Sequence, residues 1–177
     1  MRTLRAALCV LEPQVEAHAP EMFAVLSDPA IYEFENAPPA SLAWLTERFR
    51  KLETRTSGDG SEQWLNWVVR LPGGELAGYT QATIEPSGSA TVGYELASRY
   101  WRRGLGSCAV AAMLDELACT YRVHTFLAVL KARNFRSLAL LRRLGFRAGL
   151  PDHLASADAE PDEVVMHKPA GSVAGVA

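Results

Sequence analysis

Cysteine is scarce and unpaired in this chain. Cys9, Cys108 and Cys119 form no CxxC spacing, so neither a disulfide framework nor a thiolate zinc site is written in the sequence. The histidines, His18, His124, His153 and His167, lie too far apart for a local metal pattern, and no metal is expected. No apolar run reaches the roughly 20 residues that span a bilayer. The opening segment "MRTLRAALCVLEP" is interrupted by Glu12 and Pro13 and lacks a cleavage site, so it reads as a strand rather than a leader. Charge of one sign is missing too. A formal net charge of -2 argues against a nucleic-acid partner or a polybasic membrane surface. With no internal repeat and no mid-chain linker, the expectation is a reduced, cytoplasmic protein without a targeting segment.

What is present suits one folded domain. The 177 residues are 49% apolar and 21% charged, enough for a real core. We expect a single domain over residues 1–169 and a small, weakly apolar tail over 170–177 that frays. Leu4, Ala6, Leu8 and Val10 alternate with Arg5 and Cys9, which predicts a first strand. "APEMFAVLSDP" reads as a short helix stopped before Pro29. "SLAWLTERFRKLE" reads as a longer one, with Leu42, Leu45, Phe49 and Leu52 on one face and Glu47 supporting Lys51. "WLNWVVRL", "LAGYTQATI" and "ATVGYEL", separated by turn-forming stretches, predict an antiparallel meander. A helix over Leu105–Thr120, a strand over Val123–Leu130, a helix over Asn134–Leu144 and late strands near Phe146 and "DEVVMHK" follow. The fold class is therefore α/β of the α+β kind: a mixed, largely antiparallel sheet flanked by helices, not a repeated βαβ array.

"YWRRGLGSCAVAAML" places Arg102, Arg103, Gly104 and Gly106 directly before an apolar helix striped by Val110, Met113, Leu114 and Leu117. Amides of a first helical turn lack internal acceptors, and the dipole makes that end positive. Glycines allow close approach, and arginines add bidentate charge. The segment therefore predicts an anion site, most simply for a diphosphate; the alternative is a tight turn with solvated arginines. A GxxxxGK[ST] loop is absent. "GLGSCA" formally matches the dinucleotide fingerprint, but "ASRYWRR" intervenes after the strand, and Lys131 stands where an acid would close the next one. A nicotinamide-dependent oxidoreductase is accordingly a minor alternative. In the second informative stretch, "NFRSLALLRRLGF", Asn134 is placed to cap a helix. Gly145 suits a left-handed end with Phe146 packing back on Leu141.

Together, "VGYELASRYWRRGLGS" and "NFRSLALLRRLGF", one helix and one strand apart, resemble the GNAT superfamily of acetyl-CoA-dependent N-acetyltransferases, closest to its RimJ/RimL-like branch. "LSDPAIYEF…PP" resembles that branch as well, so the likeness covers nearly the whole chain. The resemblance implies a GNAT-type sheet and a diphosphate of coenzyme A held by the amides of Arg102, Arg103, Gly104, Leu105, Gly106 and Ser107. The family's Q/R-x-x-G-x-G/A loop has Trp101 at its first position here, a departure familiar in this branch. The strand before the loop is expected to splay, opening backbone groups of Leu96 and Ala97 to the pantetheine, with Asn134 and Ser137 beside it and the thioester.

The implied reaction is direct acetyl transfer to a primary amine, first of all a protein N-terminal α-amine. A small amine (polyamine, aminoglycoside or amino-acid analogue) and a non-catalytic acyl-CoA-binding module are the alternatives. An α-amine titrates near 7.7–8.0, against about 10.4 for lysine, so a weak base suffices for it. Glu95 is the candidate base; its other reading is a solvated strand glutamate. A family tyrosine acid has no counterpart, because Leu141 stands in its place. Ser137, matching the serine proposed in the RimL-like branch, is the candidate acid, with Tyr94 and Tyr100 as substitutes. A strand amide near Leu96 would hold the oxyanion. Cys108 and Cys119 read as packing residues. Tyr32, Phe34, Trp44, Trp64 and Trp67 either line the acceptor pocket or belong to the core. Glu33 and Glu35 read as loop charge, or as attraction for a cationic amine. A homodimer is left open.

Overall fold

The computed structural model describes residues 1–34, 36–149 and 159–171. The expected frayed tail lies outside the described residues from residue 172 onward, as do Glu35 and His153. The strands are β1 (Leu4–Arg5), β2 (Val10–Pro13), β3 (Gln63–Arg70), β4 (Leu76–Ile84), β5 (Ser89–Leu96), β6 (Thr125–Lys131), β7 (Arg147–Ala148) and β8 (Glu163–Pro169). They form one sheet in the order β1-β2-β3-β4-β5-β6-β8-β7. Every neighbouring pair is antiparallel except β5 with β6, which run parallel. The helices are α1 (Ala19–Leu26), α2 (Leu42–Leu52), α3 (Leu105–Tyr121) and α4 (Phe135–Arg143).

The two sheet faces are covered by different helices. Strand alternation sends Leu65, Trp67 and Val69 of β3 to one face, where they meet Val110, Met113, Leu114 and Leu117 of α3 and Leu141 of α4. Val68 points the other way, into a second cluster with Met22 and Val25 of α1 and Leu45 and Phe49 of α2. That double burial explains why "WLNWVVRL" is nearly continuous in apolar residues.

Three local expectations change. The first predicted strand folds back on itself: the Ala6 amide donates to the Cys9 carbonyl at 2.9 Å, and β1 pairs with β2 through Leu4–Leu11. Alternation alone could not reveal that turn, which leaves Leu8 exposed at 43%. On α2 only Leu45 and Phe49 are buried, while Leu42 stays exposed. Glu47 pairs with Arg50 rather than Lys51, whose ammonium lies over the Trp64 ring instead, 5.8 Å from its centre.

Candidate active site

The parallel pair β5/β6 is where the sheet opens. Its register runs only from Ser89–Thr125 to Thr91–Leu127. Beyond it β4 keeps β5 company to Leu96, and β8 keeps β6 company to Lys131. The two strands therefore diverge, and the wedge between Val92–Leu96 and Ala128–Leu130 forms part of a cleft of about 770 Å³. Antiparallel ladders alternate bonded and non-bonded pairs. Because the Ala97 amide donates to Ala77 O at 2.9 Å, the adjacent Leu96 N–H turns away from β4 and toward the wedge.

One end of the cleft is the start of α3. Gly104 caps the helix at φ +78°, and no side chain supplies the cap. The first helical bond, Cys108 N–H to Gly104 O at 3.0 Å, leaves the amides of Leu105, Gly106 and Ser107 outside the helical ladder. Arg102, at φ +58°, is also left-handed. Alternating left-handed residues make a concave nest of amides suited to an anion. The Gly106 position is tight for another reason: an added Cβ would come within 2.8 Å of Leu140 Cδ1 and 3.3 Å of Leu96 Cδ1. A larger residue there would have to displace the ends of the Leu140 and Leu96 side chains at the cleft wall, a constraint the sequence pattern did not suggest.

α4 forms the cleft's flank. Asn134 Oδ1 accepts the Ser137 amide at 3.1 Å, the cap read from the sequence. At the other end Gly145, at φ +88°, donates to Arg142 O, and Phe146 donates to Leu141 O, closing a Schellman turn. Asn134, Ser137 and Leu141 all line the cleft, Leu141 with an apolar side chain that is otherwise packed in the core.

The opposite end is built from side chains. Glu95 and Tyr79 face each other across β5 and β4. Burial first, then the Glu95 carboxylate, pushes the Tyr79 phenol well above its usual range, and the same two causes raise Tyr32. Both phenols keep their protons around Glu95 at neutral pH. Tyr32 donates to Leu26 O at 2.8 Å. A strap from the 3-10 turn Pro29–Tyr32 crosses to α4. Arg133 donates to Phe34 O at 3.1 Å, Phe34 meets Phe135 edge-on, and Arg136 pairs with Glu33 while its guanidinium lies over Trp101 at 4.3 Å.

Of the residues singled out from sequence, Glu95, Leu96, Arg102, Gly104, Gly106, Ser107, Asn134 and Ser137 converge on this one cleft. Arg103 is exposed beside it, and the Leu105 and Ala97 side chains are core. The backbone groups expected to be open are partly committed: the Leu96 carbonyl accepts the Trp101 indole at 2.7 Å, besides the Ala97 amide already described. Phe34 lines the cleft, but Trp67 is core and donates to Arg2 O. Glu33 is neutralised by Arg136 rather than left to attract a cation. Burial and the neighbouring Cys108 hold the Cys9 thiol up at about 12, so it supplies no thiolate. Sequence reading missed Tyr79 and Arg136. Counting register through the "EPSGS" turn would have found the first.

A model of the GNAT acetyltransferase domain matches residues 9–147. No curated protein matches. Among solved structures, RimL, the ribosomal L7/L12 α-N-protein acetyltransferase solved in complex with coenzyme A, superposes with a TM-score of 0.78 at 16% identity, covering 94% of this chain and 97% of that one. The ribosomal-protein-S5-alanine acetyltransferase of Vibrio fischeri gives 0.76 at 18% identity, over 96% and 97% of the two chains. The microcin C7 self-immunity acetyltransferase, solved with acetyl-CoA and AMP, gives 0.74 at 14% identity, over 92% and 93%. At such identities these likenesses speak for the fold. The matched domain takes in the meander, the split between β5 and β6, and the helix that opens into it, and on that ground the chain belongs to the GNAT family of acetyltransferases.

Proposed function

We propose that this chain transfers the acetyl group of acetyl-CoA to a primary amine, first of all the N-terminal α-amine of a protein. The observation that carries the proposal is the meeting, in one cleft, of an amide nest, a split sheet and a buried-phenol–carboxylate pair. The donor set fits coenzyme A. The amides of Leu105, Gly106 and Ser107, with Arg102, Arg103 and Gly104 ahead of them, suit a diphosphate. The wedge of Leu96, Asn134 and Ser137 suits an extended, amide-bearing arm. Acetyl-CoA supplies an activated acyl group on a thiol leaving group.

The chain's own groups do the rest. Glu95 takes a proton from the incoming ammonium, directly or through one water, so that the nitrogen lone pair is free. Tyr79, held protonated, orients that carboxylate by hydrogen bonding. The Leu96 N–H, aimed into the wedge, stabilises negative charge on the carbonyl oxygen. Ser137 offers a hydroxyl proton to the departing sulfur and regains one from the acetylated nitrogen, which sheds its second proton as the amide forms. An α-amine demands less of Glu95 than lysine does, because its free pKa is lower by about 2.5 units. The RimL and S5-alanine acetyltransferase likenesses support the α-amine as first choice.

Thermal unfolding with CoA, acetyl-CoA and NADH tests the first half. Saturation at about 100 times Kd adds about 2.7 kcal/mol, a clear melting shift. A shift with both CoA species and none with NADH is expected. An amine and peptide panel with thiol release as readout tests the second half, with Glu95→Gln and Ser137→Ala as controls. A folded protein that ignores both CoA species would overturn the proposal.

A further inference from the structure

The face of the sheet that carries Glu95 continues away from the wedge as cross-strand rows. Register places Val68, Tyr79 and Glu95 in one row, Asn66, Gln81 and Gly93 in the next, and Trp64, Thr83 and Thr91 in a third. Gly93 leaves room for the Gln81 amide, whose Nε2 lies 3.0 Å from where a Cβ would stand. Gln81 and Thr83 line the cleft and also a second hollow of about 230 Å³ beneath α2. The two cavities therefore share a wall along these rows.

The second hollow is cationic. Arg48 and Lys51 of α2 stand over it, one turn apart, with Trp64 and the buried Asn66 as its floor. No acidic side chain lines it among the described residues. The nearest acids in sequence are engaged elsewhere: Glu47 pairs with Arg50, Glu53 accepts the Glu16 amide at 2.9 Å, and Glu62 accepts the Trp64 indole at 2.9 Å. Neither cation has a carboxylate partner among the described residues. Arg48 stacks on Trp44 and Lys51 on Trp64, at 5.7 and 5.8 Å. Such contacts draw the exposed cations toward the rings without neutralising them. Arg48 is also close enough to act on the Tyr79 phenol, the group that faces Glu95. Two positive charges thus sit at the far side of the acceptor region, with the Gln81 and Asn66 amides between them and Glu95.

We infer that the hollow formed by Arg48, Lys51, Trp64 and Asn66 binds an anionic group carried by the acceptor at a fixed distance from its reacting amine. This rests on the proposed acetyl transfer at Glu95. Asn66 lies one row (about 7 Å) and two strand spacings (about 4.8 Å each) from Glu95, so the span from Glu95 to the hollow is on the order of 12 Å. An extended chain covers that in about four residues, or about three with the reach of a glutamate side chain. The occupant is accordingly an acidic side chain near the second to fourth position of a protein N-terminus. The same chemistry in a free ω-amino carboxylate of equal span is the other source to be separated from it.

The experiment measures binding and turnover side by side on the CoA-loaded protein. Hexapeptides with a free N-terminus, alike except for glutamate or glutamine at the third position, are titrated by anisotropy of a C-terminal dye. 8-Aminooctanoate is the small competitor. The glutamate peptide should bind tighter by roughly three- to thirtyfold, the range for two partly exposed ion pairs. The preference should shrink with salt. It should vanish in Arg48→Ala/Lys51→Ala and reverse toward a lysine peptide in Arg48→Glu/Lys51→Glu. Competition by 8-aminooctanoate as strong as by the peptide would assign the hollow to a small acid. Equal affinity for the glutamate and glutamine peptides, or a preference that survives both double variants, overturns the inference even if both peptides are acetylated. Thiol release reads the acetyl-transfer proposal separately: selective binding without release would sink that proposal while leaving the anion site standing.

Discussion

The two ends of the cleft are made of different materials. At the α3 end the groups on offer are backbone amides, presented by left-handed residues Arg102 and Gly104 and by a first helical turn without a side-chain cap. At the β4/β5 end they are side chains, Tyr79 and Glu95, drawn from separate strands and set in place by register. Backbone sites tolerate most substitutions that keep the dihedrals and the space, because any residue has an amide. Side-chain sites fail at the loss of one group but leave the rest of the fold alone. The comparison teaches where a change should affect binding, where chemistry and where only stability.

The largest effect is expected from Glu95→Gln. Removing a positioned base should lower turnover by about 10²–10⁴-fold, while the melting shift given by CoA stays as in the wild type. Loss of that shift as well would break the comparison, since the two ends would then act as one. The α3 end should answer in the opposite sense. Gly106→Ala pushes a Cβ into Leu140 Cδ1 at 2.8 Å, the flexible end of a side chain at the cleft wall, so the cost should lie at the low end of the roughly 1–3 kcal/mol of overpacking. Gly104→Ala meets only Leu8 Cδ1 at 3.7 Å but must hold φ +78°, at a cost of roughly 1–2 kcal/mol. In a Leu140→Ala background the Gly106→Ala penalty should fall and the Gly104→Ala penalty should not. Equal penalties in both backgrounds would mean that Gly106 answers to the bound anion and not to packing.

The difference in materials also decides what could be read from the sequence. The α3 end is local: "RRGLGS" carries glycines, cations and a helix start within a few residues, so its site was legible as a pattern. The α4 caps at Asn134 and Gly145 were legible for the same reason. The meander, with its turns between apolar runs, gave the strand order around β3, β4 and β5. Tyr79 was not legible, since its role depends on lying opposite Glu95 sixteen residues later, through a hairpin whose register no single motif states. Arg136 was hidden more deeply. Its partners Glu33, Phe34 and Trp101 belong to distant segments that meet only in the folded chain. The turn at Ala6–Cys9 was lost because alternation of Leu4, Ala6, Leu8 and Val10 continues undisturbed through it.

Asp28 joins the two ends, and its variant should show a middling effect. One carboxylate oxygen accepts the Ala30 amide at 3.0 Å, at the start of the strap, and the other accepts Ser98 N–H at 2.7 Å, just after β5. Burial acts to raise this carboxyl, but the bonds from Ser98 and Ala30 and the charge of Arg99 outweigh it, leaving it below the usual 3.8. Its folded value being depressed, the stabilisation is fully present above about pH 4 and is lost as pH falls through the folded value. Asp28→Ala should therefore cost roughly 0.5–2 kcal/mol at neutral pH. The melting gap between wild type and variant should close in acid. A gap that stays constant as pH falls from neutral through the acid range would show that shape, not charge, ties strap to strand.

The smallest effect belongs to Arg136, and it separates two forces acting on one side chain. Its ion pair with Glu33 is at the surface, where such pairs are worth little and are screened by salt. Its guanidinium lies over the Trp101 ring at 4.3 Å and keeps the indole where it donates to Leu96 O. That carbonyl lies at the mouth of the wedge, so the stack steadies the backbone on which the Leu96 N–H depends. Arg136→Lys keeps the charge and removes the planar face. If stacking dominates, Arg136→Lys and Arg136→Gln should lose the same roughly 0.5–1 kcal/mol, and neither loss should change between low and high salt. If the ion pair dominates, Arg136→Lys should melt with the wild type at low salt, and Arg136→Gln should approach both as salt rises. The geometry favours stacking, because the guanidinium also lies over Phe34 and Phe135, at 4.9 and 5.4 Å, and a lysine ammonium offers those rings no face.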